Sequence, residues 1–198
     1  MKYLKNLGIA VTATMAMTAS TTGSASATTL EVNGVKQSAA VTVSTSLKPG
    51  SSSVDSSTDS SFATTCTAST FHGSTTVFTG ASVTLLLSGM TFSSCTPNGP
   101  RVVHKPGTLS ITHIAGTTNG TVTMSGSEVT IPTPFTTITC KFNNTHLGTL
   151  TGATTATNPG SHAILDVNAV LNCGFLLPSW KWTATYVVTT PTGLGVVG

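Results

Sequence analysis

WKWTATYVVTT, residues 180–190, decides the fold class: Trp180, Trp182, Ala184, Tyr186 and Val188 share one face, with Lys181, Thr183, Thr185 and Val187 on the other. A period of two is that of a β-strand, in which successive side chains point to opposite sides. The apolar face holds both tryptophans of the chain and one of its two tyrosines. Rings of that size bury the most area when they fill a core, which is where this reading expects them. Only if the face is exposed do Trp180, Trp182 and Tyr186 become a binding stripe, able to stack on a sugar ring or lie at a membrane interface.

The same alternation recurs upstream. AAVTVSTS (39–46), FATTCTAST (62–70), SVTLLLS (82–88), GTLSITHIA (107–115) and TVTM (121–124, behind an Asn119-Gly120 turn) read as strands, followed by TTITCKF (136–142), LGTLT (147–151) and AILDVNAVL (163–171). The last could form a short helix, but its Val and Ile content and period-two face favour a strand. Nine or ten short strands at such spacing predict an all-β domain over residues 28–198, an antiparallel sandwich or a Greek-key, barrel-like variant. Between the first two strands, PGSSSVDSSTDSS (49–61) has no apolar alternation and reads as a serine-rich surface loop. Asp55 and Asp59 within it lack the dense spacing of a calcium loop.

Composition agrees with this and narrows the function. Charged residues are 7% of the 198, against about 25% in ordinary soluble domains, while 42 Thr and 24 Ser make up the difference. So few Lys, Glu and Arg exclude a coiled coil or a typical helical bundle. β-Branched Thr suits a pleated surface facing water. The basic residues beyond the leader, Lys36, Lys48, Arg101, Lys105, Lys141 and Lys181, are scattered singly, so no nucleic-acid footprint is expected. Arg101 and Lys105 read as parts of a solvated loop.

Residues 1–27 have the form of an export signal. Lys2 and Lys5 precede an uncharged stretch from Leu7, interrupted by Thr12, Thr14 and Thr18, and Ala25-Ser-Ala27 supplies small residues for cleavage between Ala27 and Thr28. The stretch is too short and too polar for a membrane anchor, which needs about 20 apolar residues. The predicted exported chain keeps six basic and five acidic residues. It is close to neutral.

All four cysteines, Cys66, Cys95, Cys140 and Cys173, lie beyond the leader, where oxidising conditions let disulfides persist. Three connectivities are open. Neighbour pairing, Cys66 with Cys95 and Cys140 with Cys173, is favoured; it closes two loops of about 30 residues, each worth roughly 3 to 4 kcal/mol in the chain-entropy model. The short spacings of a zinc site are missing, and neither a metal nor another cofactor is expected.

TTLEVNGV, TTCTAST, LSGMTFSSCT, PGTLSITHI, TNGTVTMSGSEVTI, TITCKF, GTLTG and the closing C…WKWTATYVVTTPTGL together resemble a group of small secreted bacterial proteins with four cysteines in this order. The resemblance spans most of the chain beyond the leader. It implies export, disulfides and an all-β fold, and it brings no activity with it. The apolar run Gly174-Phe-Leu-Leu-Pro178 departs from the group's pattern.

Catalytic groups do not converge in the sequence. Glu31, Asp55, Asp59, Glu128 and Asp166 form no close pair of the kind glycosidases use, and there is no G-x-S-x-G elbow. His72, His104, His113, His146 and His162 read as single surface or edge residues. The Thr-x-Thr triplets at 121–123, 137–139, 149–151 and 183–185 are too unevenly spaced for an ice-binding array. Asn119-Gly-Thr121 and Asn143-Asn-Thr145 match the N-glycosylation pattern, which matters only in a eukaryotic secretory route. The expectation is therefore a non-enzymatic secreted or cell-surface protein, an envelope-associated binding or structural module whose partner is an envelope component, a glycan or another protein. Two alternatives stand beside it: an envelope channel or pore-forming β protein inserted in the membrane, and a secreted hydrolase with dispersed Ser, His and Asp.

Overall fold

The computed structural model describes residues 27–57, 62–153, 161–174 and 180–198. The expected leader up to residue 26 lies outside them. Ala27 is exposed and Thr28 opens the first strand, its hydroxyl donating to the Ala81 carbonyl and accepting from the His113 amide.

The described residues form sixteen strands: β1 (Thr28–Val32), β2 (Val35–Lys36), β3 (Thr42–Leu47), β4 (Ser53–Ser57), β5 (Ala63–Val77), β6 (Thr79–Gly80), β7 (Val83–Thr96), β8 (Val102–Lys105), β9 (Thr108–His113), β10 (Gly120–Ser125), β11 (Glu128–Pro132), β12 (Thr137–Lys141), β13 (Thr145–Thr151), β14 (Ile164–Leu171), β15 (Trp180–Thr190) and β16 (Leu194–Val197). Residues 163–171 are thus a strand, not a helix.

The main sheet runs β14-β13-β10-β9-β7-β5-β3-β15, and β15 pairs back onto β14 along eight residues, from Ile164 opposite Val187 to Leu171 opposite Trp180. The result is a closed eight-stranded antiparallel barrel, which corrects the sandwich expectation. Closure follows from the length of three strands. β5 and β7 span 15 and 14 residues and β15 spans 11, long enough to pair with different partners at each end. β3 and β4 occupy one position between β5 and β15, β3 against the far end of β5 and β4 against its start. They are two halves of one stave, parted at Lys48-Pro49-Gly50. The supposed loop at 49–61 therefore contains a strand, Ser53–Ser57; the rest of its serine run, 58–61, lies outside the described residues.

Small sheets cover both ends. At one end β1 pairs with β16, β2 and β6, and Leu30, Leu194 and Val196 point into the core. At the other, β12-β11-β8 lays Val129, Ile131, Ile138 and Cys140 over the barrel mouth. One close approach needs glycine. Gly148, at a bulge between β10 and β13, has φ +156°, and a Cβ there would overlap the Asp166 carbonyl oxygen on β14.

Cys66 bridges to Cys95, its direct register partner on β7. Cys140 bridges to Cys173 and ties the second lid to the end of β14, beside a bond from the Lys141 amide to the Asn172 carbonyl. Peptide mapping without reduction should recover these two pairs, and a crossed pair would contradict the topology.

Candidate functional site

Alternation sends apolar side chains inward and hydroxyls outward around nearly the whole barrel. Towards the first lid the interior is largely apolar, lined by residues such as Phe71, Leu85, Leu109, Ile111, Leu165 and Val188 with Thr45 and Thr75 among them, and leaves a cavity of about 40 Å³. Ligand pockets occupy roughly 300 to 1,000 Å³, and an apolar void of this size stays dry. No carrier function fits inside it.

Trp180, Trp182 and Tyr186 are 1%, 1% and 0% exposed. The condition for a binding stripe is not met. Their face turns inward because β15 has sheet partners on both edges and a lid over its start, leaving only the outer face, with Lys181 and Thr183, for solvent. The Trp182 ring packs edge-on to Phe92 and Phe142, with centroids at 5.8 and 6.0 Å. Its Nε1 donates to Ser53 Oγ at 2.8 Å, and Tyr186 shares a 2.8 Å hydroxyl bond with Ser69.

Towards the second lid the interior holds an ion pair. Asp55 and Arg101, 1% and 5% exposed, are joined through Oδ2 and Nε. Arg101 also donates from Nη2 to the Ser53 carbonyl at 3.2 Å and lies 4.1 Å over the Phe92 ring, with Trp182 at 5.8 Å. The sequence places both residues in solvated loops, and the structure buries them. In β4 the inward positions are Ser53, Asp55 and Ser57, while Val54 and Ser56 face outward, so the usual polarity code is reversed over this short stave. The reversal is satisfied because Trp182 and Arg101 need polar partners there.

Burial pushes Asp55 up to about 7 from its ordinary 3.8, opposed by the Arg101 charge; burial likewise lowers Arg101, opposed by Asp55. Burial raises Tyr186 to about 12. In a chain starting at Thr28, Tyr186 is the only tyrosine. Its phenolate absorbance should therefore rise with a midpoint near 12; a midpoint near 10 would place the hydroxyl in water.

On the outside, hydroxyls pair across strands. Thr70 bonds Thr91 at 2.7 Å, Ser110 donates to Ser82 at 2.8 Å, and Thr185 donates to Asp166 at 2.9 Å. His72 Nδ1 lies 3.1 Å from Ser44 Oγ on this wall, an exposed pair to which no carboxylate bonds among the described residues. His104 contacts Thr130, while His113 and His162 contact backbone carbonyls. The histidines and acids do not come together: among the described residues no group of three His, Cys, Asp or Glu is placed to hold a metal. Lys105 is exposed, as expected, on β8.

A roomy concavity lies at the seam between lid and barrel. It measures about 370 Å³ and is lined by Thr139, Lys141, Asn143 and Thr145 from one side and Val170, Asn172 and Gly174 from the other. The segments that form its two sides are joined by the Cys140–Cys173 bridge and by the Lys141–Asn172 backbone bond. Lys141 is its one charged group, and Glu128 stands 3.8 Å from the Lys141 ammonium. Sequence reasoning missed this groove because its walls are some thirty residues apart in the chain. The favoured Cys140–Cys173 pairing was the available signal, since it brings the flanking residues of both cysteines side by side. Comparison with family models, with curated proteins and with solved structures finds no match to this chain.

Proposed function

We propose that the protein is a secreted or surface-attached, non-enzymatic module that binds an envelope component, a glycan or another protein through the outside of a sealed barrel. The observation that carries this reading is the distribution of polarity. The interior is packed and lidded at both ends, and the outer wall is written in Thr and Ser. A membrane barrel has the opposite arrangement, with an apolar band outside and a polar lumen, so the pattern weighs against a channel. The two disulfides suit an oxidising compartment. The near-neutral chain fits an uncharged partner better than a polyanion.

Incubating the purified exported protein with isolated cell envelopes tests this. Saturable retention, with dye-loaded liposomes left intact and glycan, ester and peptide substrates unturned, is the expected result. Dye release or hydrolytic turnover would overturn it.

A further inference from the structure

We infer that the seam groove is a binding site for a neutral oligosaccharide, which gives the binding module above its ligand class and rests on that reading. Three observations point there. At about 370 Å³ the groove reaches the lower end of the range that binds small ligands, and it opens to the surface. Beside the Lys141 ammonium, its polar groups are hydroxyls and amides, from Thr139, Thr145, Asn143 and Asn172, which can donate and accept. Sugar hydroxyls ask for that mixture, and an apolar metabolite or an anion does not. Val170, 64% exposed on the outer face of β14, supplies a single apolar contact for the C–H face of a pyranose ring.

Glu128 stands 3.8 Å from the Lys141 ammonium and offsets the one charge lining the groove, while Lys181, opposite Val170 on the outer face of β15, stands beside its rim. The groove's two walls are also tied to each other, by the Cys140–Cys173 bridge and the Lys141–Asn172 backbone bond. A preformed site of this kind loses little ordering entropy on binding.

The groove does not end at Thr139. Thr139 Oγ1 lies 3.1 Å from Thr130 Oγ1, which lies 2.9 Å from His104 Nε2, so a hydrogen-bonded row crosses β12, β11 and β8 on the outer face of the lid. Three strands at their usual spacing extend this row by about 10 Å. Groove and row together fit an oligosaccharide better than a single sugar.

The test titrates the exported full-length chain with neutral trisaccharides (cellotriose, chitotriose, maltotriose and mannotriose) and with trigalacturonic acid, by calorimetry and saturation-transfer NMR. At least one neutral trimer should bind with Kd below about 1 mM. Asn143→Ala and Val170→Asp should each weaken it about tenfold, at unchanged melting temperature since both sites are exposed. Ser93→Ala on β7, four staves away, should leave it unchanged. Preference for the acidic trimer, or affinity indifferent to the groove variants, would overturn the assignment. Absence of all trimer binding while the protein still holds to isolated envelopes would overturn the groove and leave the module reading standing. Loss of envelope retention as well would overturn both.

Discussion

Arg101→Ala is expected to destabilise the protein by about 3 to 5 kcal/mol, the range for breaking a buried ion pair by removing one partner. The guanidinium serves Asp55, the Ser53 carbonyl and the Phe92 ring at once, so its loss removes a charge, a donor and a packed plane together. Denaturant unfolding of the purified variant measures this, and an unchanged midpoint would mean that Arg101 faces solvent. The pair should also leave a mark on the pH dependence. Because the native pKa of Asp55 is raised to about 7 from 3.8, the folded state holds the proton more tightly than the unfolded chain. The stability from that proton is fully present below about pH 4 and is lost as pH rises through about 7. Asp55→Asn should flatten the slope across this window. A variant slope equal to that of the parent would contradict this origin of the pH dependence.

Trp182→Ala should cost a similar amount, about 3 to 5 kcal/mol, through the cavity left when a buried ring is deleted. The ring lies among Phe71, Phe92, Phe142 and Tyr186. Its removal also leaves Ser53 Oγ without the indole donor. Thr183→Ala, one residue along and on the outer face, should stay within about 0.5 kcal/mol. The contrast between the neighbours reads the period-two face directly. If the two variants lost equal stability, β15 would not divide core from solvent as described. Should Trp182→Ala fail to accumulate, Trp182→Phe keeps the comparison measurable.

What the sequence conveyed depended on where each polarity signal stood. β15 was legible because its inward aromatics and outward Lys and Thr alternate without interruption, and β9, β10, β12 and β14 were legible for the same reason. For the cysteines the sequence left three connectivities open and favoured the neighbour pairing, which is the one found. β4 was hidden because its inward residues are Ser, Asp and Ser, chosen to meet Arg101 and Trp182, and no local pattern announces a buried arginine forty-six positions away. Closure was hidden for a related reason. β5 and β7 extend well past the predicted segments through His72-Gly73 and Ser88-Gly89, where the two strands shift register against each other and the apolar alternation is broken. A period-two reading stops at such bulges, and with β5 and β7 cut short a sandwich was as plausible as a ring. The groove was legible only in outline, through the cysteines that join its two sides.

The proposal that this sealed, hydroxyl-coated barrel is exported is tested by locating the chain in the producing cells. Cells are separated into culture medium, salt-extractable envelope and detergent-extractable envelope, and the chain and its first residue are identified in each by mass spectrometry. The account predicts a chain beginning at Thr28, recovered from the medium or the salt wash. Release by detergent alone, or a chain that still carries residues 1–27, would contradict it.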